Sequence, residues 1–266
     1  MPSSGKSPYI HVGTQRALQL ISHQNNEGVT LYNQGKYAEA VKVFKEATST
    51  SKKLLGRPLE EVSSTDNGDV LCTSLQVLPS QTACDNDVNV STVYWKPFEV
   101  VFTLVSCKSV LANCKSRLFL SRLSAIMIFN MALTHHAIAM MSSEDNDSTT
   151  NREFLSKARH LYNLAYSIPQ GEQEQEVIDE AMLPLFVKAV LNNLGHCFSS
   201  LGDINNSVAC YELLLRSIML FQQDRHIQYR TSRESKESFP KDHSTACFLD
   251  NTLFLILKDP CGAPAA

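Results

Sequence analysis

NNEGVTLYNQGKYAEAVKVFKEA, residues 25–47, is the stretch that decides the fold of this chain. Small residues stand where two helices would have to approach closely: Gly28 in its first half, and Ala40 and Ala47 in its second. Between the halves, Gly35 supplies the conformational freedom that a tight turn needs. The stretch therefore predicts two short antiparallel helices packed against each other.

The spacing of small and aromatic residues in this stretch returns twice further along the chain. The copies carry Ala132, Ala158, Tyr162 and Ala165 in the second case and Gly195, Ser207 and Tyr211 in the third. Helix pairs of this size cannot bury their apolar faces alone, and they stack on their neighbours. We predict three helix pairs, at about residues 14–55, 116–168 and 183–221, in a single domain that spans residues 14–259.

The insertion between the first and second pairs, residues 57–113, has a different composition. Two runs rich in Val, Tyr, Trp and Phe, Val70–Leu78 and Val93–Leu104, favour extended structure. They could pair as a small irregular hairpin or lie as extended segments along the helices. Pro97 argues against a regular central strand. We predict an irregular, β-leaning insertion.

The two ends of the chain differ in character. Residues 1–13 are rich in Ser, Pro and Gly, and we predict a disordered tail. Apolar residues recur at helical spacing over residues 244–258, which predicts a C-terminal capping helix over the last pair, followed by a tail at 260–266. The mixed-charge stretch 225–243 is predicted to be a solvated linker rather than a site for an acidic partner or RNA.

The composition limits the possible functions. The 266 residues carry a net charge of -3 and have a pI near 6.2, so no broad basic field would attract nucleic acid. The eight cysteines include no C-x-x-C spacing, and the amino end lacks the apolar block of a signal peptide. The most apolar run, Ile126–Met141, is too short and too polar for a bilayer span. We expect a cytoplasmic protein, or alternatively a nuclear one, with neither nucleic-acid nor membrane partners.

The repeated spacing resembles that of the tetratricopeptide-repeat (TPR) superfamily, clearly in the first and third pairs and more loosely in the second. The segments FNMALTHHAIAM, LSKARHLYNLAYSI and LNNLGHCFSSLGD also resemble TPR-like proteins of diatoms. The TPR resemblance implies an all-α, right-handed helical solenoid whose first helices line a concave groove for peptide segments. It implies protein binding, seldom catalysis, and no cofactor.

An asparagine stands two residues before the small residue of each first helix. These are Asn26, Asn130 and Asn193, and Asn25 and Asn192 stand one residue earlier than the first and third. Equivalent positions of stacked repeats line up, and a side-chain amide can both donate to a carbonyl and accept from an N–H of an extended peptide. We therefore predict a peptide-binding row of asparagines. The alternative is that these residues only hydrogen-bond neighbouring loops.

The histidines give a weaker signal. His135 and His136 are adjacent on a helix, so their side chains point about 100° apart and cannot both face one metal ion. We expect no metal site, and we interpret one of the two as a packing residue. His136 and His196 project from first helices and could add to the groove.

Taken together, the sequence favours a non-catalytic module that binds an extended peptide or a partner protein as an adaptor. The competing interpretation is a structural or regulatory subunit whose own insertion, residues 57–113, fills the groove. The positions of Trp95 and Phe98 distinguish the two. A hydrolase-like enzyme is a distant alternative that would need a pocket joining His135 or His136 to a carboxylate.

Overall fold

The computed structural model of the chain describes residues 9–55, 70–79, 93–107, 112–141, 148–168, 182–231 and 248. Within these ranges, helices follow one another in pairs, with a two-stranded sheet between the first pair and the second. The elements are α1 Tyr9–Asn33, α2 Tyr37–Leu55, β1 Val70–Pro79, β2 Phe98–Cys107, α3 Ala112–Met141, α4 Ser148–Ser167, α5 Met182–Ser200 and α6 Ile204–Thr231. The predicted all-α, TPR-like fold of three packed helix pairs with a small strand insertion is confirmed.

Two compact units divide the chain. The first comprises Met1–Ala83 and Lys96–Gln173, and the second comprises Cys84–Trp95 and Glu174–Ala266. The first unit thus contains α1 to α4 with both strands, and the second contains α5 and α6. The single domain predicted over residues 14–259 stays a prediction.

The turns inside the first and third pairs have the same backbone conformation. Gly35 has a φ of 73° and Gly202 a φ of 84°, values in the left-handed region that glycine adopts without steric cost. In both turns the N–H of the next residue bonds, at 2.9 Å, to the carbonyl five residues earlier. This arrangement ends the first helix of each pair and reverses the chain.

The small residues allow a close crossing of the two helices in each of these pairs. A Cβ atom added to Gly28 would lie 2.5 Å from Cε1 of Phe44, and one added to Gly195 would lie 2.7 Å from Cζ of Tyr211. Both distances are shorter than a van der Waals contact. Each glycine therefore makes room for an aromatic ring of the partner helix.

Helix α3 is the core helix of the first unit and packs against both α2 and α4. Its segment Leu120–Met141 has a mean hydropathy of 1.4 over an 18-residue window, of which 89% is buried within the fold. By length and composition this segment could cross a membrane, and the predicted apolar run Ile126–Met141 forms only its second part. Its burial against two neighbouring helices is the pattern of a core helix. The expectation of no membrane partner stays a prediction.

Several helix bounds differ from those predicted. Helix α1 begins at Tyr9, inside the predicted tail 1–13. Helix α6 continues to Thr231, into the predicted linker, where no Gly or Pro interrupts it. The remaining residues of both predicted tails, 1–8 and 260–266, lie outside the described residues. So does the predicted capping helix except for Phe248, which is helical and buried.

The insertion contains a regular antiparallel ribbon rather than an irregular one. Strand β1 pairs with β2 without a bulge, from Val70 opposite Cys107 to Pro79 opposite Phe98. Pro97 does not interrupt the ladder, because it precedes the first residue of β2. Strand β2 also packs against α1, which brings its first residues to the polar face of that helix.

Candidate functional site

Asn26 holds the backbone of Val100 through both ends of its side-chain amide. Its Oδ1 accepts the N–H of Val100 at 2.8 Å, and its Nδ2 donates to the carbonyl of Val100 at 2.8 Å. Ser22, one turn earlier on α1, donates a second hydrogen bond to the same carbonyl at 2.8 Å. Helix α1 therefore binds this residue of β2 through its backbone alone.

Asn130 of α3 binds the backbone of Phe98 in the same way. Its Oδ1 accepts the N–H of Phe98 at 2.9 Å, and its Nδ2 donates to the Phe98 carbonyl at 2.8 Å. Asn25 donates to that carbonyl at 3.0 Å and accepts from Nδ2 of Asn130 at 3.0 Å. The predicted asparagines of the first two pairs are thus joined into one network in the first unit.

The side chain of Phe98 completes this contact. Phe98 is fully buried, and its ring centroid lies 5.2 Å from that of Phe129, the neighbour of Asn130 on α3. The Phe129 ring in turn lies 5.5 Å from that of Tyr162 on α4. Phe98 therefore belongs to the core of the first unit.

In the second unit, Asn193 holds the backbone of Tyr94. Its Oδ1 accepts the N–H of Tyr94 at 2.7 Å, and its Nδ2 donates to the Tyr94 carbonyl at 2.9 Å. Asn192 donates to Oδ1 of Asn193 at 3.1 Å, and both asparagines are fully buried. The Tyr94 ring stacks on Phe248 with centroids 5.4 Å apart. Trp95, the next residue, is half-buried.

These contacts have a common chemistry. A carboxamide presents one donor and one acceptor, as a peptide group of a neighbouring strand does. Residues two apart in a strand direct their N–H and C=O groups to the same edge, so Phe98 and Val100 can each meet an asparagine on that edge of β2. The recognition depends on backbone geometry and not on side-chain identity.

His136 lies in the packing between α3 and α4. It is fully buried, its Nδ1 lies 3.5 Å from the hydroxyl oxygen of Tyr162, and its ring meets the Tyr162 ring edge-on. This agrees with the interpretation of one histidine of the pair as a packing residue. The addition of His136 to a peptide groove stays a prediction.

His196 and two cysteines show what burial does to titratable groups in the second unit. Burial lowers the pKa of His196 to about 4 and raises the pKa of Cys210 to about 11. Cys197 and Cys210 are buried, and neither is in a disulfide. Within the described ranges, no three His, Cys, Asp or Glu side chains come together as metal ligands would. The contribution of His196 to a groove stays a prediction.

Comparison with known families decides what these pairs are. Family models of the tetratricopeptide repeat match residues 20–58 and 189–217. The chain carries tetratricopeptide repeats. The first match covers the second half of α1 and all of α2, and the second covers the end of α5 and the first half of α6. One match lies in each unit, and the second pair of the chain lies between them. No curated protein and no solved structure matches the chain.

The repeat carries a general functional meaning. Tetratricopeptide repeats generally mediate protein–protein interactions and typically bind protein partners, and the repeat family is generally non-catalytic. The narrower resemblance to diatom proteins stays a prediction.

The sequence predicted the insertion only as an alternative occupant of the groove, and it did not identify Tyr94 and Val100 as residues that the asparagine amides bind. Along the chain, Val100 lies 74 residues from Asn26, Tyr94 lies 99 residues from Asn193, and Phe98 lies 32 residues from Asn130. Backbone recognition leaves no mark in side-chain identity. The one available signal was the extended pattern of Val93–Leu104 close to an unexplained row of amides. Ser22 carried no signal, because a serine on a helix most often faces solvent.

Proposed function

We propose that this protein is a non-catalytic protein-interaction module in which the asparagine amides hold the chain's own insertion and a partner docks elsewhere on its surface. This is the alternative in which residues 57–113 fill the peptide site. The single observation that carries it is the pairing of three predicted peptide-binding asparagines with backbone of this chain: Asn26 with Val100, Asn130 with Phe98, and Asn193 with Tyr94.

Burial supports this assignment. Asn130 and Asn193 have no exposed surface, and Phe98 and Val100 are 0% and 1% exposed. Every polar atom that a visiting peptide would use on these amides is already in a hydrogen bond with the insertion. A buried hydrogen bond contributes about 1 kcal/mol net, and its loss without replacement costs about 1–3 kcal/mol. Displacement of the insertion would therefore cost the free energy of several buried hydrogen bonds.

Because the insertion is part of the same chain, it has an advantage over an external peptide in binding to the asparagine amides. A tethered segment competes at an effective concentration of roughly millimolar for a short flexible connection. An external peptide of equal intrinsic affinity at micromolar concentration would lose that competition. The site is therefore expected to be filled by this chain at ordinary peptide concentrations.

Hydrogen exchange tests the proposal. In the wild type, the amides of Tyr94, Phe98 and Val100 should exchange slowly, and the triple variant N26A/N130A/N193A should release them by at least about tenfold. The matched control is Asn163→Ala, an exposed asparagine of α4. Equal exchange of these amides in the wild type and the triple variant would contradict the proposal.

A second candidate function follows from the same geometry. Because the amides recognise backbone alone, an external extended peptide could make the same contacts if the insertion left the site. Val100→Pro removes the N–H that Asn26 accepts and leaves the asparagines intact. If Val100→Pro gains binding of a fluorescent peptide of residues 93–104 while the wild type has none, the site is a peptide groove under control of the insertion. If neither binds, the insertion is a permanent structural part.

A further inference from the structure

A pocket in the first unit lies apart from the asparagine amides. It has a volume of about 430 Å³ and opens between α2, α3 and α4. We name it the histidine pocket and define it by its lining residues, Lys45, Met131, His135, Ser156, Lys157, His160 and Leu161. Its volume is within the range of roughly 300–1,000 Å³ that small-molecule sites occupy.

The floor of the histidine pocket is mainly apolar and buried. Met131 is 7% exposed and His135 is 8% exposed, and Leu161 is half-buried beside them. The His135 ring is fixed by stacking on Phe154, with centroids 5.8 Å apart and an interplanar angle of 27°. A ligand that reached this floor would bury apolar surface of its own, which contributes about 25 cal/mol per Å².

The rim of the pocket is cationic. Lys45 of α2 and Lys157 of α4 are both exposed, as is His160. Among the described residues that line the pocket, none is a carboxylate. Glu153 pairs with Lys157 at 2.6 Å, but both side chains are largely exposed, and solvent screens such a pair. The Lys157 ammonium also lies 5.2 Å from the centroid of the Phe154 ring, so a ligand carboxylate in the pocket would compete with exposed Glu153 for it.

One polar atom of the floor lacks a partner. Nδ1 of His135 is buried and forms no hydrogen bond within the described part of the chain. A buried polar atom without a partner is destabilising, and a ligand atom that bonds to it would recover part of that loss. Burial lowers the pKa of the His135 ring to about 4, and the charges of Lys157 and Lys45 act in the same direction. The two lysines thus produce a positive potential at His135.

From these features we infer that the histidine pocket binds a small organic anion, with a carboxylate between Lys45 and Lys157 and an apolar body on Met131 and Leu161. The carboxylate accepts hydrogen bonds from the lysines and from the His135 ring. The hydroxyl of Ser156 is a further donor at the rim. This site is independent of the proposed function, because none of its lining residues belongs to the asparagine contacts.

Three probes separate the contribution of the ligand's negative charge from that of its apolar body. Benzoate carries both the charge and the apolar body, benzamide keeps the body without the charge, and inorganic phosphate keeps charge without the body. Binding is followed through the His135 ring resonances in NMR spectra of the full chain. We expect benzoate to shift them saturably and to bind at least about tenfold more tightly than either other probe.

Lysine variants test the position of the carboxylate. Lys45→Ala with Lys157→Ala should weaken benzoate binding by about tenfold or more. The matched control is Lys52→Ala with Lys53→Ala, which removes two exposed lysines of α2 that do not line the pocket. The control should leave the affinity within about twofold.

Four results would overturn the inference. The first is an absence of saturable shifts at His135 up to about 10 mM benzoate. The second is equal affinity for benzamide, and the third is equal affinity for inorganic phosphate. The fourth is an equal loss of affinity in the control variant. Because circular dichroism of each variant reports its helicity, a failure of folding is distinguished from a loss of the site.

The pH dependence gives an additional readout. A bound carboxylate favours the protonated form of His135, so benzoate affinity should rise as the pH falls from about 7 to about 5.5. The charged groups that face His135 are Lys45 from α2 and Lys157, with its partner Glu153, and His160 from α4. Since His160 also lines the pocket, the rise must persist in His160→Gln. A rise that disappears in that variant would assign the effect to His160 and contradict the contact with His135.

Discussion

Ser51 Oγ lies 2.7 Å from Ser124 Oγ, a buried contact that joins α2 of the first helix pair to α3 of the second. Ser124 donates its own hydroxyl proton to the carbonyl of Leu120 at 2.8 Å, so Ser51 is the donor of the pair. Both serines are buried, with exposed fractions of 0% and 6%. The packing of one pair on the next within the first unit therefore includes a directed polar contact.

The direction of this hydrogen bond predicts unequal effects of two substitutions. Ser124→Ala leaves the Ser51 hydroxyl buried without its acceptor and should lower the free energy of unfolding by about 1–2 kcal/mol. Ser51→Ala leaves Ser124 bonded to Leu120 and should cost about 0.5–1 kcal/mol. Urea denaturation followed by circular dichroism measures both, and Ser167→Ala, at an exposed serine, is the control. The reverse order of the two costs would show that Ser124 is the donor.

We expect the replacement of Asn130 alone to lower the free energy of unfolding substantially. Asn130→Ala removes three hydrogen bonds and leaves the buried N–H of Phe98 without a partner. We expect a loss of about 2–4 kcal/mol in the free energy of unfolding. Asn163→Ala, on an exposed surface of α4, should change it by less than about 0.5 kcal/mol. If Asn130→Ala melts as the wild type does, the contact with Phe98 does not stabilise the native state.

Because α1 and α2 cross closely at Gly28, we expect the addition of one methyl group there to destabilise the chain. Gly28→Ala places a Cβ 2.5 Å from the Phe44 ring and should destabilise the chain by about 1–3 kcal/mol, despite the better helix propensity of alanine. Gly35→Ala is the matched control, because nothing lies within 4 Å of an added Cβ and only its positive φ opposes the change. That control should cost about 1 kcal/mol.

A partial rescue distinguishes overpacking from a general effect on helix α1. Gly28→Ala combined with Phe44→Leu should cost less than the sum of the two single substitutions, since the smaller side chain leaves room for the methyl group. Additive costs would contradict the crowding of Phe44 as the cause.

Two buried histidines predict acid sensitivity. The pKa of His135 and that of His196 are each lowered from 6.5 to about 4, chiefly by burial. Because the unfolded chain binds protons at these groups between pH 6.5 and 4 and the folded chain does not, stability should fall as the pH decreases through this window. The expected loss is on the order of 1 kcal/mol for each histidine, measured as the urea midpoint at pH 7 and pH 5. His160→Gln, at an exposed histidine, should leave the slope unchanged.

The fold could be predicted in detail where local rules and packing rules agree. Gly35 satisfies the local requirement of the turn, Gly28 and Phe44 satisfy that of the helix crossing, and α2 has the predicted bounds, Tyr37–Leu55. The start of α1 at Tyr9 and the end of α6 at Thr231 were missed, since composition near a helix end is a weak signal.

Of the candidate site, the sequence predicted the asparagines but not the backbone segments that they bind. The repeated position of Asn26, Asn130 and Asn193 identified amides that bind an extended backbone, and the structure gives each of them such a backbone. The sequence could not identify Phe98 as an occupant over its external alternatives. Backbone groups are alike at every residue, so nothing in a side chain indicates which segment an amide will bind.

Strand β2 has consequences for the solubility of the chain. One edge of its first residues is paired with β1, and the other edge is bound at Phe98 and Val100 by amides of Asn130 and Asn26. No further strand can add there while these amides are in place. The strand continues as the apolar run VVFTLV, which has the composition of an aggregation-prone segment. We therefore expect these asparagines to prevent self-association at this edge of β2. Their replacement is expected to cause fibre formation or precipitation in addition to a loss of stability.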